Sequence, residues 1–228
     1  MWFDPYEEPE EHALRTRPPF APPMSPQLRA LRQSPYNCQV ASLPTLVVVS
    51  GPIGAGKTTL ARQIAQAVGC PAICRDEIKE GMAHNSPGFR PALGDELTAR
   101  TLPVFFSVLE LLLRAGVTTV ADAAFQDHVW RPRLEPLRDL AQLRIVHCVV
   151  AADLAFGRAL QRSQDSPVRR VHADPPPDND LADFTRRRDA FQRVSVQAPW
   201  IEVDTTDGYQ PGLDDIVKFV NARRERHL

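Results

Sequence analysis

The residues best suited to chemistry lie between positions 51 and 58, in the run Gly51-Pro52-Ile53-Gly54-Ala55-Gly56-Lys57-Thr58. It fits G-x-x-x-x-G-K-[ST] in full. Glycines here let backbone N–H groups converge on phosphate oxygens without a Cβ in the way. A helix starting near Lys57 would aim its positive end at the same spot. Lys57 would reach the β- and γ-phosphates, and the Thr58 hydroxyl would ligate Mg²⁺. Charge-assisted hydrogen bonds contribute roughly 1.5–3 kcal/mol each, so several of them can hold a triphosphate at micromolar affinity. The expected phosphate-binding set is therefore Gly51, Ile53, Gly54, Ala55, Gly56, Lys57, Thr58 and Thr59, with ATP and Mg²⁺ as ligands. No N-K-x-D tetrapeptide occurs to read guanine.

Two carboxylates follow at strand ends. Asp122 closes Val120-Ala121-Asp122 and is expected on the Mg²⁺ side with Thr58, or else it caps a turn. Asp76, in Cys74-Arg75-Asp76-Glu77-Ile78-Lys79, is placed for a base that takes the proton of an attacking hydroxyl. Lys79 shares a helical face with Asp76 if a helix starts here. By position alone the pair is equally a capping carboxylate and a solvated lysine. Arg158 and Arg162 lie one helical turn apart. Arg169, Arg170 and Arg186-Arg187-Arg188 follow, among six aspartates between Asp165 and Asp189 that offer local partners. His147 reads as core. His128-Val129-Trp130 suits packing or substrate contact. His84 and His172 lie in loops, with nothing to pair them as metal ligands.

These residues need a scaffold. Leu46 to Val49 reads as a buried strand and Lys57 to Val68 as a helix with an apolar stripe stopped by Gly69. Further strands are expected at 71–74, 117–121, 143–150 and 200–204. Helices are expected at 96–115, kinked at Pro103, and at 127–140, 153–164, 180–194 and 213–224. Alternating strands and helices demand a parallel sheet covered on both faces, a three-layer α/β/α sandwich of five strands. Residues 1–44 differ: they hold nine prolines and no glycine. They are expected to form a disordered or extended leader, a docking tail being the alternative, with the working domain at 45–228.

The chain has 228 residues and a net charge of −1, with 43% hydrophobic and 24% charged residues. That is globular, and it offers no broad basic field for nucleic acid or anionic membrane. Four cysteines without paired spacing read as reduced thiols, and the start reads as no signal peptide. The expected location is cytoplasmic.

Gly51 to Thr59, Arg75 to Lys79 and Val120 to Phe125 together resemble the P-loop kinases. The similarity runs to the bacterial kinases grouped with AAA-type ATPases, and to polynucleotide kinase, chloramphenicol phosphotransferase and zeta-toxin relatives. It covers residues 45–205. The resemblance implies that Asp76 is the catalytic aspartate, that Arg75, Lys79 and Asp122 face the acceptor, and that Lys79 stands where the group has an acceptor-binding arginine. A lysine lacks the bidentate fork for phosphate. Asp122-Ala123-Ala124 also lacks the group's D-x-N asparagine. A lid near 158–190 is implied to bring arginines, Arg162 and Arg158 first, over the nucleotide. The expected activity is Mg²⁺-dependent transfer of the γ-phosphoryl group of ATP to a small-molecule hydroxyl. The alternatives are a 5′-polynucleotide kinase and a non-catalytic ATP-binding regulator.

Overall fold

A computed structural model describes residues 43–92, 94–165, 171–172 and 181–222. The expected leader lies outside the described residues except for Leu43 and Pro44, as do Arg169 and Arg170.

The chain begins with β1 (Thr45–Ser50), in which Leu46, Val47, Val48 and Val49 have no exposed surface. A strand so apolar on both faces must be central. Leu46 and Val48 feed one core cluster, Val47 and Val49 the other. Then come α1 (Lys57–Val68), β2 (Ala72–Cys74), α2 (Arg75–His84), α3 (Glu96–Arg114) and β3 (Thr119–Asp122). They are followed by α4 (Asp127–Leu134), β4 (Gln142–Val149), α5 (Ala152–Asp165), α6 (Leu181–Asp189), β5 (Trp200–Asp204) and α7 (Leu213–Asn221). The five strands run parallel in the order β2-β3-β1-β4-β5. Helices cover both faces, so the architecture is the expected α/β/α sandwich.

Local chemistry explains most boundaries. In α1, Leu60, Ala61, Ile64 and Ala65 form the buried face, and the Gly69 N–H donates to the Ala65 carbonyl at its end. Asp95 caps α3 by accepting from the Thr98 amide at 2.8 Å. Pro103 does not end that helix. The helix expected at 127–140 stops at Leu134 and gives way to a 3₁₀ turn, Glu135–Asp139, where Pro136 brings no N–H to the ladder. Arg144, buried on β4, donates to the Phe219 and Ala222 carbonyls and so caps α7 from beneath.

The register sets the working edge. Val49 of β1 pairs with Asp122 of β3, and Cys74 of β2 pairs with the same Asp122. The loop after β1, the carboxylate ending β3 and the start of α2 therefore share one level, at the carboxyl ends of the strands where open α/β sheets bind ligands.

Candidate active site

The loop after β1 is held by contacts only glycine permits. Gly54 sits at φ +76°, and a Cβ there would lie 2.4 Å from the Ala155 carbonyl oxygen. A Cβ on Gly51 would lie 2.5 Å from the Cys148 carbonyl oxygen. The backbone is thus pressed against β4 and α5, and within the loop the Ala55 amide donates to the Pro52 carbonyl at 3.3 Å. Ala55 has no exposed surface, and its carbonyl accepts from the Thr205 hydroxyl at 3.2 Å. The Lys57 ammonium closes over its own loop, donating to the Pro52 carbonyl at 2.8 Å. Burial pulls its pKa below the ordinary lysine range, opposed by the charge of Asp122.

Asp122 is only 3% exposed. Burial pushes its carboxyl above the usual carboxylate range, against the pull of Lys57 and of hydrogen bonds from Thr58 and Cys74. The cost of burying that carboxylate is met by a nearby cation and two donors, which is also the arrangement a hard cation prefers: few protein oxygens and room for phosphate oxygens. Among the described residues no three His, Cys, Asp or Glu side chains gather as a metal cluster. The donor set present, the Thr58 hydroxyl and the Asp122 carboxylate, fits Mg²⁺ and not zinc.

Asp76 occupies the first turn of α2, with Arg75 Nη1 3.3 Å from its Oδ1. Arg75 is buried and also reaches the Thr98 carbonyl, at 3.5 Å. Lys79 departs from expectation. Its side chain is 2% exposed, and its ammonium is 2.9 Å from Asp95 and 2.7 Å from the Thr98 hydroxyl. It points away from the opening and joins α2 to α3, because an ammonium without a partner at that depth would be far costlier than one paired with the α3 cap.

Three adjoining cavities surround the loop. The first, about 350 Å³, runs from Lys57 and Thr58 along Arg62 to Asp76, Glu77 and Glu80. The second, about 160 Å³, has Lys57, Arg75, Asp76 and Asp122 on its polar side, with Ala123, Ala124 and Trp130 on its apolar side. The third, about 580 Å³, opens beyond Gly56 between Gln63, Arg158, Gln161, Thr205 and Tyr209. Arg162 lines all three. Arg158 belongs to the third alone, its guanidinium donating to the Thr205 and Thr206 carbonyls at 2.7 and 3.2 Å.

The structure thus brings Gly54, Gly56, Lys57, Thr58, Thr59, Arg75, Asp76, Asp122 and Arg162 to connected space. It leaves out Lys79. Arg186 and Arg187 pair with Asp183 at 2.9 and 3.0 Å, and Arg188 donates to the Val150 carbonyl. Trp130 packs on Phe105 and Phe125 and also lines the second cavity. His147 is core, stacked 5.6 Å from Phe191. Sequence reasoning missed Arg62, Glu80, Thr205 and Tyr209. Arg62 and Glu80 sit on helix faces with no motif. Thr205 and Tyr209 follow the last strand, where only knowledge of the strand order would place them beside the loop.

The geometry meets its relatives here. The family profile described as an AAA domain matches residues 46–191. The chain belongs to this family. Within it the match spans the loop, both carboxylates and α6. A candidate kinase from Chloroflexus aurantiacus has a similar structure, with a TM-score of 0.69 at 22% identity, covering 78% of this chain and 97% of that one. A sugar kinase from Janibacter sp. HTCC2649 gives a TM-score of 0.51 at 18% identity, covering 78% of this chain and 94% of that one. No curated protein sequence matches the chain. The fold is that of the P-loop kinases. No helix among the described residues is long and apolar enough to cross a membrane.

Proposed function

We propose that this protein transfers the γ-phosphoryl group of ATP to a hydroxyl of a small molecule, with Mg²⁺. One observation carries the reading: Asp76 shares two cavities with Lys57, Thr58 and Arg162. A base, a phosphate clamp and a mobile-length cation therefore face one space, as in-line transfer requires.

In this reading the triphosphate lies along residues 53–59 and its base extends toward Tyr209 and Gln63 in the third cavity. Lys57 gives up its bond to Pro52 and takes phosphate oxygens instead. Thr58 and Asp122 would hold Mg²⁺, which when bound draws charge off the phosphate oxygens. The acceptor hydroxyl sits in the second cavity, against Trp130 and Ala124, and donates its proton to Asp76 as the new P–O bond forms. Arg162 spreads the charge that builds on the transferring group. With Lys79 withdrawn into the α2–α3 contact, the cations on the second cavity are Lys57, Arg75 and Arg162, of which Arg75 is tied to Asp76 and the Thr98 carbonyl. The apolar wall of Ala123, Ala124 and Trp130 favours small hydroxylated acceptors with an apolar face.

The test is a screen of sugars, nucleosides, antibiotics and RNA ends with γ-labelled ATP, run on wild type, Lys57→Ala and Asp76→Asn. Lys57→Ala should lose ATP binding. Asp76→Asn should keep it and lose transfer by about 10²–10⁴-fold, the usual worth of a positioned base. Full transfer by Asp76→Asn would overturn the assignment of the base.

A further inference from the structure

The third cavity is where the nucleobase lies in the reading above, and its walls decide which nucleobases it admits. Its ionic lining consists of Arg158 and Arg162, with no carboxylate among the described residues. Gln63, Gln161 and Tyr209 add two amides and a phenol. An amide offers both a donor and an acceptor, and a phenol serves as either, so these three fit the edge of any purine. A guanidinium only donates.

Backbone oxygens would suit the amino group of adenine, and the segment after β5 has them at Thr205 and Thr206. Arg158 occupies both. Its Nη2 donates to the Thr205 carbonyl at 2.7 Å and to the Thr206 carbonyl at 3.2 Å. Its Nη1 donates to the Thr205 hydroxyl at 3.2 Å. That hydroxyl commits its own proton to the Ala55 or the Val149 carbonyl, at 3.2 and 3.3 Å. An N–H group brought to these carbonyls therefore meets a cation already seated on them. An oxygen brought to the same place meets the N–H groups that Arg158 has left over, at Nε and at Nη1.

Where adenine carries its exocyclic amino group, guanine carries a carbonyl oxygen. A wall that only donates suits the oxygen. A site for guanine alone would also need a carboxylate for the ring N–H and amino group on guanine's other edge, and this cavity has none. Gln63 or Gln161 serves that edge, or the edge of adenine, by turning its amide end for end. We propose that the phosphoryl-donor site takes GTP as well as ATP, and that Arg158 is the specificity-determining residue that admits guanine. The proposal rests on the nucleotide lying along residues 53–59 with its nucleobase in the third cavity. The missing N-K-x-D tetrapeptide excludes that exclusive guanine reader and not a shared site.

The experiment is calorimetry with Mg·ATP and with Mg·GTP on wild type, Arg158→Met and Arg158→Lys, which needs no acceptor. Wild type should bind the two nucleotides with affinities within about tenfold of each other, less than the worth of one charge-assisted hydrogen bond. Arg158→Met frees the two carbonyls for adenine and removes the donor facing guanine. The GTP-to-ATP affinity ratio should therefore fall by about tenfold or more. Arg158→Lys keeps the charge without the fork and should shift the ratio the same way by less. The ratio is read within each protein, so a loosened fold alone does not move it, and the lysine variant reports if the methionine variant fails to fold. ATP bound more than about tenfold tighter than GTP by wild type, or a ratio that neither variant changes, overturns the proposal alone. Absence of binding of both nucleotides by wild type would instead bring down the kinase reading itself, and this proposal with it.

Discussion

Replacing Lys79 by methionine separates two roles that a lysine one turn from Asp76 can play. The structure gives it the structural one. Its ammonium, 2% exposed, meets Asp95, 6% exposed, at 2.9 Å and Thr98 at 2.7 Å. Removing one member of a buried pair costs about 3–5 kcal/mol, because the other charge stays buried without its partner. The lower end applies, since Asp95 keeps the amides of Thr98 and Ala92. In a domain of this size 1 kcal/mol moves Tm by roughly 2–4 °C, so about 3 kcal/mol lowers the melt by about 10 °C. Lys79→Met/Asp95→Asn removes both charges and keeps an acceptor at the α3 cap. It should recover at least half of the loss. The assay is a thermal melt by circular dichroism, cross-checked by urea midpoints. If Lys79→Met melts within about 2 °C of wild type while the acceptor KM rises, the lysine serves substrate and the reasoning is refuted.

Two further outcomes follow from the same geometry. Gly54→Ala places a methyl 2.4 Å from the Ala155 carbonyl on a left-handed backbone, so the loop must shift. Its affinity for Mg·ATP by calorimetry should drop at least about tenfold, since the strain alone costs about 1–2 kcal/mol, and an unchanged affinity would show that the loop does not grip phosphate. His147 is pulled down to about 4, first by burial and then by the charge of Arg193. The unfolded chain therefore binds the extra proton between its ordinary range and about 4, and stability falls as pH falls through that window. The loss should be about 2 kcal/mol between pH 7.5 and 5 by urea midpoints. His147→Phe, which preserves the stack on Phe191, should flatten it, and equal slopes in the two proteins would remove His147 as the cause.

Much of the fold was legible because its signals are local. The β-branched run before Gly51, the apolar stripe of α1 and the stop at Gly69 each follow from one element's own residues. Helix α2 was visible only conditionally, through the spacing of Asp76 and Lys79. Its buried face is Arg75, Lys79 and Ala83, one turn apart, so two of three inward positions are charged and the apolar period that announces a helix is missing. The same fact hid the fate of Lys79. A lysine bound to the cap of a helix sixteen residues on looks, in sequence, like a lysine in solvent. His172 showed no metal partner in the sequence; its ring lies 2.9 Å from Glu80 and 4.0 Å from Asp76, more than ninety residues upstream. Strand order, which no local signal carries, brought Thr205 and Tyr209 to the loop.

Asp76 and the loop after β1 stand on unequal ground. Asp76 follows a strand of three residues at the border of the sheet, bonded to β3 alone, while the phosphate loop hangs from the innermost strand, gripped on both sides. Thermal loosening would therefore travel inward from the wall at Asp76 and reach the loop after β1 last. Such a division lets the border of the sheet be reshaped, by drift or by design, with little penalty to its centre.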